Sequence, residues 1–425
     1  MTAASSPADT AWTCPFCALL CDGYGAVAGP SSLALRGSDC PRAQAALARF
    51  AVGAPAPAPE IDGRPASLDD AIAACARLLG ASRQPLFGGL GTDVAGMRAL
   101  YRLACATGAI CDAAGGDALT EGLRVLQDRG GFTMTLAEVR ERADLIVCVG
   151  GVPSARFPEF FKRCGVFEAR NHQAAVCLVG DGIEGTDAEA WKALGDRIGD
   201  RAEAVAGTDG GVPATVAVLA ACVNGYDAAA APPALAVLAD RLRNARYAVL
   251  VYEPGRLGPH AALVIEALDR IVNRLNRTTR AATLALGGND GAATANQVHA
   301  WLSGLPLRTR CGPDRMQHEP LMFGTGRLLA DQAVDALLWV SSFEGAAPPD
   351  TDVPVIVLGP AHADRARAAV YIPVATPGIG ARGHLFRTDG TVLMPLDAVR
   401  DDGLPGVAAI VQRIEAALAR TGASA

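Results

Sequence analysis

Four cysteines near the start of the chain carry the sharpest chemical signal. Cys14-Pro15-Phe16-Cys17-Ala18-Leu19-Leu20-Cys21, followed by Cys40-Pro41-Arg42, sets thiols at intervals of two, three and eighteen residues. Thiolates so spaced can converge on one centre, and the short first intervals match those that wrap a cubane iron–sulfur cluster. Zinc also accepts four thiolates, but its usual knuckles come as paired C-x2-C units, and the second pair is absent. On spacing, a [4Fe-4S] cluster on Cys14, Cys17, Cys21 and Cys40 leads, unligated thiols are the second reading, and zinc is the third.

Glycine-ended apolar runs are the second signal. Gly88-Gly89-Leu90-Gly91, Gly150-Gly151 and Gly287-Gly288-Asn289-Asp290-Gly291 each follow a strand-like run and precede a helix-like one. Backbone amides there can receive phosphates, although a tight turn without a ligand is the commoner role. The literal G-x-G-x-x-G match, Gly378 to Gly383, lies beside Pro373 and Pro377 in an extended stretch and opens no helix, so it reads as chance. Local hydrolytic motifs are missing. His318-Glu319 begins an H-E-x-x-H, but Met322 stands where the second histidine belongs, and no G-x-S-x-G occurs. His172, His260, His299, His362 and His384 read as satisfied core or surface residues. Cys75, Cys105, Cys148, Cys164, Cys177 and Cys222 read as small buried hydrophobes.

The elements that must position these groups follow from periodicity. Ser67 caps a helix with apolar residues at Leu68, Ile72, Cys75 and Leu79, and Asp69 and Asp70 favour its dipole. Strand-like runs recur at 144–149, 174–179, 247–252, 281–286, 336–340 and 353–358, alternating with helical stretches such as 93–107, 260–275 and 294–302. Continuously apolar strands imply burial on both faces, hence parallel sheets covered by helices. The expected fold is doubly wound α/β with a small N-terminal cysteine-rich lobe. The expected domains are 1–65, lobe and linker; 66–225, α/β; and 226–425, α/β with an extended segment and a closing helix at 407–419. The break between the α/β units is expected at 207–211 or 228–233. Thr388-Asp389-Gly390 should turn a hairpin.

Composition narrows the function classes. The chain has 425 residues, half of them hydrophobic and 19% charged, enough apolar material for a large core. A net charge of −6 offers no basic footprint for nucleic acid. No apolar run reaches the length of a membrane span, and no secretory signal opens the chain, so a cytoplasmic location is expected.

The cysteine cluster, the segment Glu141 to Pro153, and the stretch from Tyr371-Ile372-Pro373 through Arg387-Thr388-Asp389-Gly390 together resemble the B subunit of formylmethanofuran dehydrogenase. That family consists of shortened molybdopterin oxidoreductases, with a [4Fe-4S] lobe ahead of α/β domains that hold a tungsto- or molybdopterin at their strand ends. The resemblance implies Cys14, Cys17, Cys21 and Cys40 as cluster ligands. It departs at the metal ligand, a cysteine or selenocysteine expected just beyond a strand and an acidic residue. The matching stretch is Ile110-Cys111-Asp112-Ala113-Ala114-Gly115-Gly116, where no thiol follows Asp112 before Cys148, leaving only Cys111 in a different register. Ala and Gly offer a metal nothing.

With that loss the chain looks like the B subunit of the formyltransferase/hydrolase complex of methylotrophic bacteria. Its relatives release formate from a methanofuran-type carrier by hydrolysis, and other subunits carry the hydrolytic and formyl-transfer sites. The resemblance then implies a non-redox, mainly structural subunit of a hetero-oligomer. It would lack a catalytic centre and tungsto- or molybdopterin, with hydrolase, formyltransferase and accessory subunits as partners. An active dehydrogenase subunit and a stand-alone iron–sulfur or zinc protein are the alternatives.

Overall fold

Strand Leu145–Val149 is buried along its whole length, as are Ala336–Ser341 and Val355–Gly359, so each must be covered on both faces. The computed structural model describes residues 11–53, 56–168, 173–180, 184–226, 231–312 and 315–422. His172, and residues 228–230 of the 228–233 stretch considered as a break, lie outside them.

The chain divides into two compact units. One comprises residues 1–116 and 288–425, and the other residues 117–287. This differs from the expected boundaries at 65 and 225. The first α/β unit is discontinuous, and 225 is the C-cap glycine of helix Gly211–Asn224 inside the second unit. The reason is the sheet pairing. Strand Pro85–Gly91 lies between Ile110–Cys111 and Ala336–Ser341, both parallel to it, so one sheet recruits strands from both ends of the chain.

The nine-stranded sheet of the first unit runs Met316–His318, Thr309–Cys311, Ile110–Cys111, Pro85–Gly91, Ala336–Ser341, Val355–Gly359, Val370–Pro373, Glu60–Ile61 and Arg64–Pro65. Its five central strands are parallel, as expected, while short antiparallel hairpins close both edges. The second unit holds five strands, all parallel, in the order Arg280–Ala285, Tyr247–Tyr252, Leu145–Val149, Ala175–Val179, Ala202–Val205.

Local chemistry explains the element ends. The Ser67 hydroxyl accepts from the Asp70 amide and starts helix Leu68–Ala81. Asp93 does the same for the Gly96 amide at the head of Val94–Thr107, which ends on left-handed Gly108. Helix Ala261–Leu275 buries Ala261, Val264, Ile265, Leu268, Ile271, Val272 and Leu275, the three-and-four spacing of a single covered face. The expected hairpin pairs Phe386 with Leu393, and the closing helix spans Val407–Gly422. Among the described residues, no helix is long and apolar enough to cross a membrane.

Candidate functional site

All four N-terminal cysteines are buried, in a lobe whose core includes Trp12, Phe16, Leu33, Leu47, Phe50 and Ile379. The backbone folds them towards one another. The Cys14 amide donates to the Cys21 carbonyl (2.8 Å), the Leu20 amide donates to the Cys17 carbonyl (3.1 Å), and Leu20 adopts a left-handed φ of 43° to close the turn. Cys40 arrives from the other side as the N-cap of helix Pro41–Leu47, where Pro41 occupies the first turn at no hydrogen-bonding cost.

Three contacts from distant sequence fix this loop. The Ala18 amide donates to Asn289 Oδ1 and the Ala18 carbonyl accepts from the Thr388 amide, both at 2.8 Å. Arg42 donates through Nε to the carbonyl oxygen of Phe16 (2.7 Å) and pairs through Nη2 with Glu344 (3.1 Å). Burial pushes the Cys14 thiol well above its ordinary range, and the neighbouring Cys17, Cys21 and Cys40 add to the rise. Burial also raises Cys17, opposed by a backbone hydrogen bond at Leu19 and by the Arg42 guanidinium. Four buried thiols, of which Cys14 feels the other three, are a donor set that a cation replacing their protons could use.

The glycine-ended strands serve packing. A Cβ on Gly88 would meet the Trp339 ring at 3.0 Å, and one on Gly89 (φ +73°) would meet the Val340 carbonyl at 2.5 Å. Beside them Asp290, at φ +51°, accepts from Ser341 Oγ (3.0 Å) and the Glu344 amide (3.1 Å). Burial raises its carboxyl to about 6.

In the second unit, strand order reverses between Leu145–Val149 and Tyr247–Tyr252, the place where open α/β sheets bind ligands. Here ion pairs fill it. Arg156 grips Glu253 through Nε and Nη2, both at 2.6 Å, and Asp187 pairs with Arg256 (2.6 Å) while accepting from the Val152 amide (2.8 Å). The crevice left beside Gly150 and Gly151 has about 180 Å³ and no room for a water-sized sphere. The Gly378–Gly383 match is also structural, since the Gly378 carbonyl accepts from Trp12 Nε1 (2.7 Å).

Where the resemblance places a metal ligand, Asp112 is held internally. Its carboxylate accepts from Arg308 Nε (3.3 Å), the Thr325 amide (2.8 Å) and Thr325 Oγ1 (2.9 Å), all buried or partly buried. Cys111 does not substitute from its register, because its thiol is engaged with Cys311 on the neighbouring strand. The residues present therefore do not fit a tungsto- or molybdopterin metal.

His318 Nδ1 lies 3.1 Å from the Arg308 carbonyl, and His362 packs edge-on against Phe50. Cys75, Cys148, Cys164, Cys177 and Cys222 are buried as expected, but Cys105 is exposed. It falls on the solvent side of helix Val94–Thr107, opposite Leu103 and Ala104. His299 is fully buried and lies beside Cys111 and Cys311, a grouping that no local motif announces because its members lie on separate elements.

No family model matches the chain. The B subunit of the formyltransferase/hydrolase complex Fhc from Methylorubrum extorquens is 31% identical over 331 residues, 77% of this chain and 87% of the relative. The B subunit of the tungsten-containing formylmethanofuran dehydrogenase 2 from Methanocaldococcus jannaschii is 24% identical over 401 residues, 89% and 90% of the two chains. Among solved structures, the crystal structure of the M. extorquens FhcABCD complex with methylofuran contains a chain that superposes with a TM-score of 0.74 at 29% identity, covering 86% of this chain and all of that one. The identity and the shared length carry the same conclusion as the cysteine lobe and the parallel sheets: the chain belongs to the family of formyltransferase/hydrolase complex B subunits.

Proposed function

We propose that this chain is a non-redox, mainly structural subunit of a cytoplasmic formyltransferase/hydrolase complex. Its partners carry the sites that transfer the formyl group and hydrolyse formyl-methanofuran-type carriers to formate. The observation that carries the reading is the end of strand Ile110–Cys111. Both Asp112 oxygens are engaged by Arg308 and Thr325, and Ala113 to Gly116 offer no donor to a metal. The ion pairs that fill the second unit's switch point support it, since a nucleotide-bearing cofactor entering there would have to break them.

The four-cysteine lobe fits a [4Fe-4S] cluster. Cys14, Cys17, Cys21 and Cys40 would hold it, and bound there it would supply a rigid cross-link between the N-terminal loop and helix Pro41–Leu47. The chain's own residues bury the thiols, and Arg42 offsets their negative charge. Twelve cysteines, all thiols, suit a reducing compartment.

The test is elemental analysis for Fe, W, Mo and Zn of the complex purified anaerobically with its partner subunits, beside the Cys14→Ala variant. About four Fe per chain, lost in the variant, with no W or Mo, is the expected result. Zinc lost in place of iron would keep the structural role and replace the cluster. About one W or Mo per chain would overturn the reading.

A further inference from the structure

A second thiol centre lies in the same unit, at the antiparallel edge of its nine-stranded sheet. Thr309 pairs with Cys111 across neighbouring antiparallel strands, so Cys311, two residues on, projects from the same face in the diagonal position. Helix Ala292–Ser303 lays His299 over that face. His299 Nδ1 is 2.8 Å from the Leu305 carbonyl oxygen, which can only accept. Ser303 Oγ, 3.1 Å from the same nitrogen, can accept as well, so a proton on Nδ1 satisfies both oxygens and leaves Nε2 with its lone pair towards Cys311 Sγ, 3.9 Å away. The ligand atoms of Cys111, His299 and Cys311 all lie within 4.8 Å of one another, and all three residues are buried. The Cys105 thiol reaches Cys311 from helix Val94–Thr107 and forms the solvent side of the group.

We propose that Cys111, Cys311 and His299 bind a zinc ion, with Cys105 closing a Cys3His tetrahedron. In such a site the donor atoms sit about 3.6–3.8 Å apart, given Zn–S near 2.3 Å and Zn–N near 2.0 Å. Among Cys111, His299 and Cys311 the observed spread needs a contraction of at most about 1.2 Å to reach that edge length. The carbonyl on Nδ1 is the outer partner that metal-bound histidines use to hold tautomer and ring orientation. Two thiols and an imidazole, with a third thiol at the mouth, select zinc over the hard cations. On binding, each coordinating thiol releases its proton to solvent and no electron moves. A disulfide is disfavoured, because a diagonal pair holds its Cβ atoms further apart than the ~3.8 Å a disulfide spans. The ion would tie two neighbouring strands and two helices together.

The experiment uses the full chain with Cys14 and Cys17 replaced by Ser, which removes the N-terminal thiol site. Zinc per chain and the visible spectrum after Co2+ exchange are measured for this protein and for added Cys311→Ser and His299→Gln. About one zinc, with the intense absorption of tetrahedral Co2+–thiolate, lost in both variants, is expected. No zinc in the parent protein, or zinc unchanged by either variant, overturns the proposal. Should the variants fail to fold, X-ray absorption at the zinc edge of the wild-type chain decides. Imidazole scattering supports the site, since the N-terminal cysteines bring no histidine, and an all-sulfur shell overturns it.

Discussion

The guanidinium of Arg42 meets the carboxylate of Glu344 at 3.1 Å while its Nε holds the Phe16 carbonyl, so one side chain joins the cysteine loop to the loop after strand Ala336–Ser341. A lysine could keep the charge beside Cys17 but has no second donor in that fixed fork. Arg42→Lys should therefore lower stability by about 1 kcal/mol, read from denaturant midpoints, and Arg42→Ala by more. Equal stability of the Arg42→Lys variant and the wild-type chain would mean the Phe16 contact is incidental.

Asp290 makes stability depend on pH. Its carboxyl is raised from 3.8 to about 6, chiefly by burial, with Glu344 adding and Arg42, Ser341 and the Glu344 amide opposing. The folded state thus binds a proton that the unfolded state has already released. This contribution is complete below the ordinary carboxylate range and is lost as pH rises through about 6. Between about pH 4 and about pH 7, wild type should lose up to about 3 kcal/mol relative to Asp290→Asn, measured by urea unfolding at both ends.

Trp339 lies against Gly88 and Gly89, and the two glycines should respond differently to substitution. At Gly89, alanine meets a backbone carbonyl and a left-handed φ, for a cost of about 3 kcal/mol or more. At Gly88 the obstacles are the Trp339 ring and the Leu337 side chain. Adding Trp339→Ala should recover part of the Gly88→Ala loss and little of the Gly89→Ala loss, which a double-mutant cycle on unfolding free energies would measure.

Asp112→Ala removes the carboxylate partner of a buried arginine. Arg308 would keep the Pro320 carbonyl (2.7 Å) but lose its ion pair with the Asp112 carboxylate inside the unit. The expected loss is about 3–5 kcal/mol by chemical denaturation, with Asp112→Asn milder because an amide oxygen still accepts. A loss below about 1 kcal/mol would mean that water reaches the pair.

Much of this was legible in residue patterns, for reasons particular to each segment. Tyr247–Tyr252 shows as a strand because both faces are covered and every interior residue is apolar. Ser67 shows as a cap because its oxygen answers to the amide three residues away. The Cys14 to Cys40 group is legible because its spacing is local. The division of the chain was not, since nothing in Pro85–Gly91 says that its neighbour is Ala336–Ser341. Nor does anything near His299 point to Cys111. Their meeting depends on the antiparallel edge strands Thr309–Cys311 and Met316–His318, too short and polar to carry a strand signal.

The pairing of Pro85–Gly91 with Ala336–Ser341 also sets an order of events during synthesis. When the early strand leaves the ribosome, its partner has not been translated. At about 5–20 residues per second the wait is on the order of tens of seconds. The intervening unit, continuous in sequence, can fold within that interval. The N-terminal thiols cannot gain their Asn289 and Thr388 anchors until the later third of the chain has emerged. Any metal delivered to these cysteines would therefore meet either a nascent loop or a finished lobe, and a factor that shields the waiting strand would set which of the two it meets.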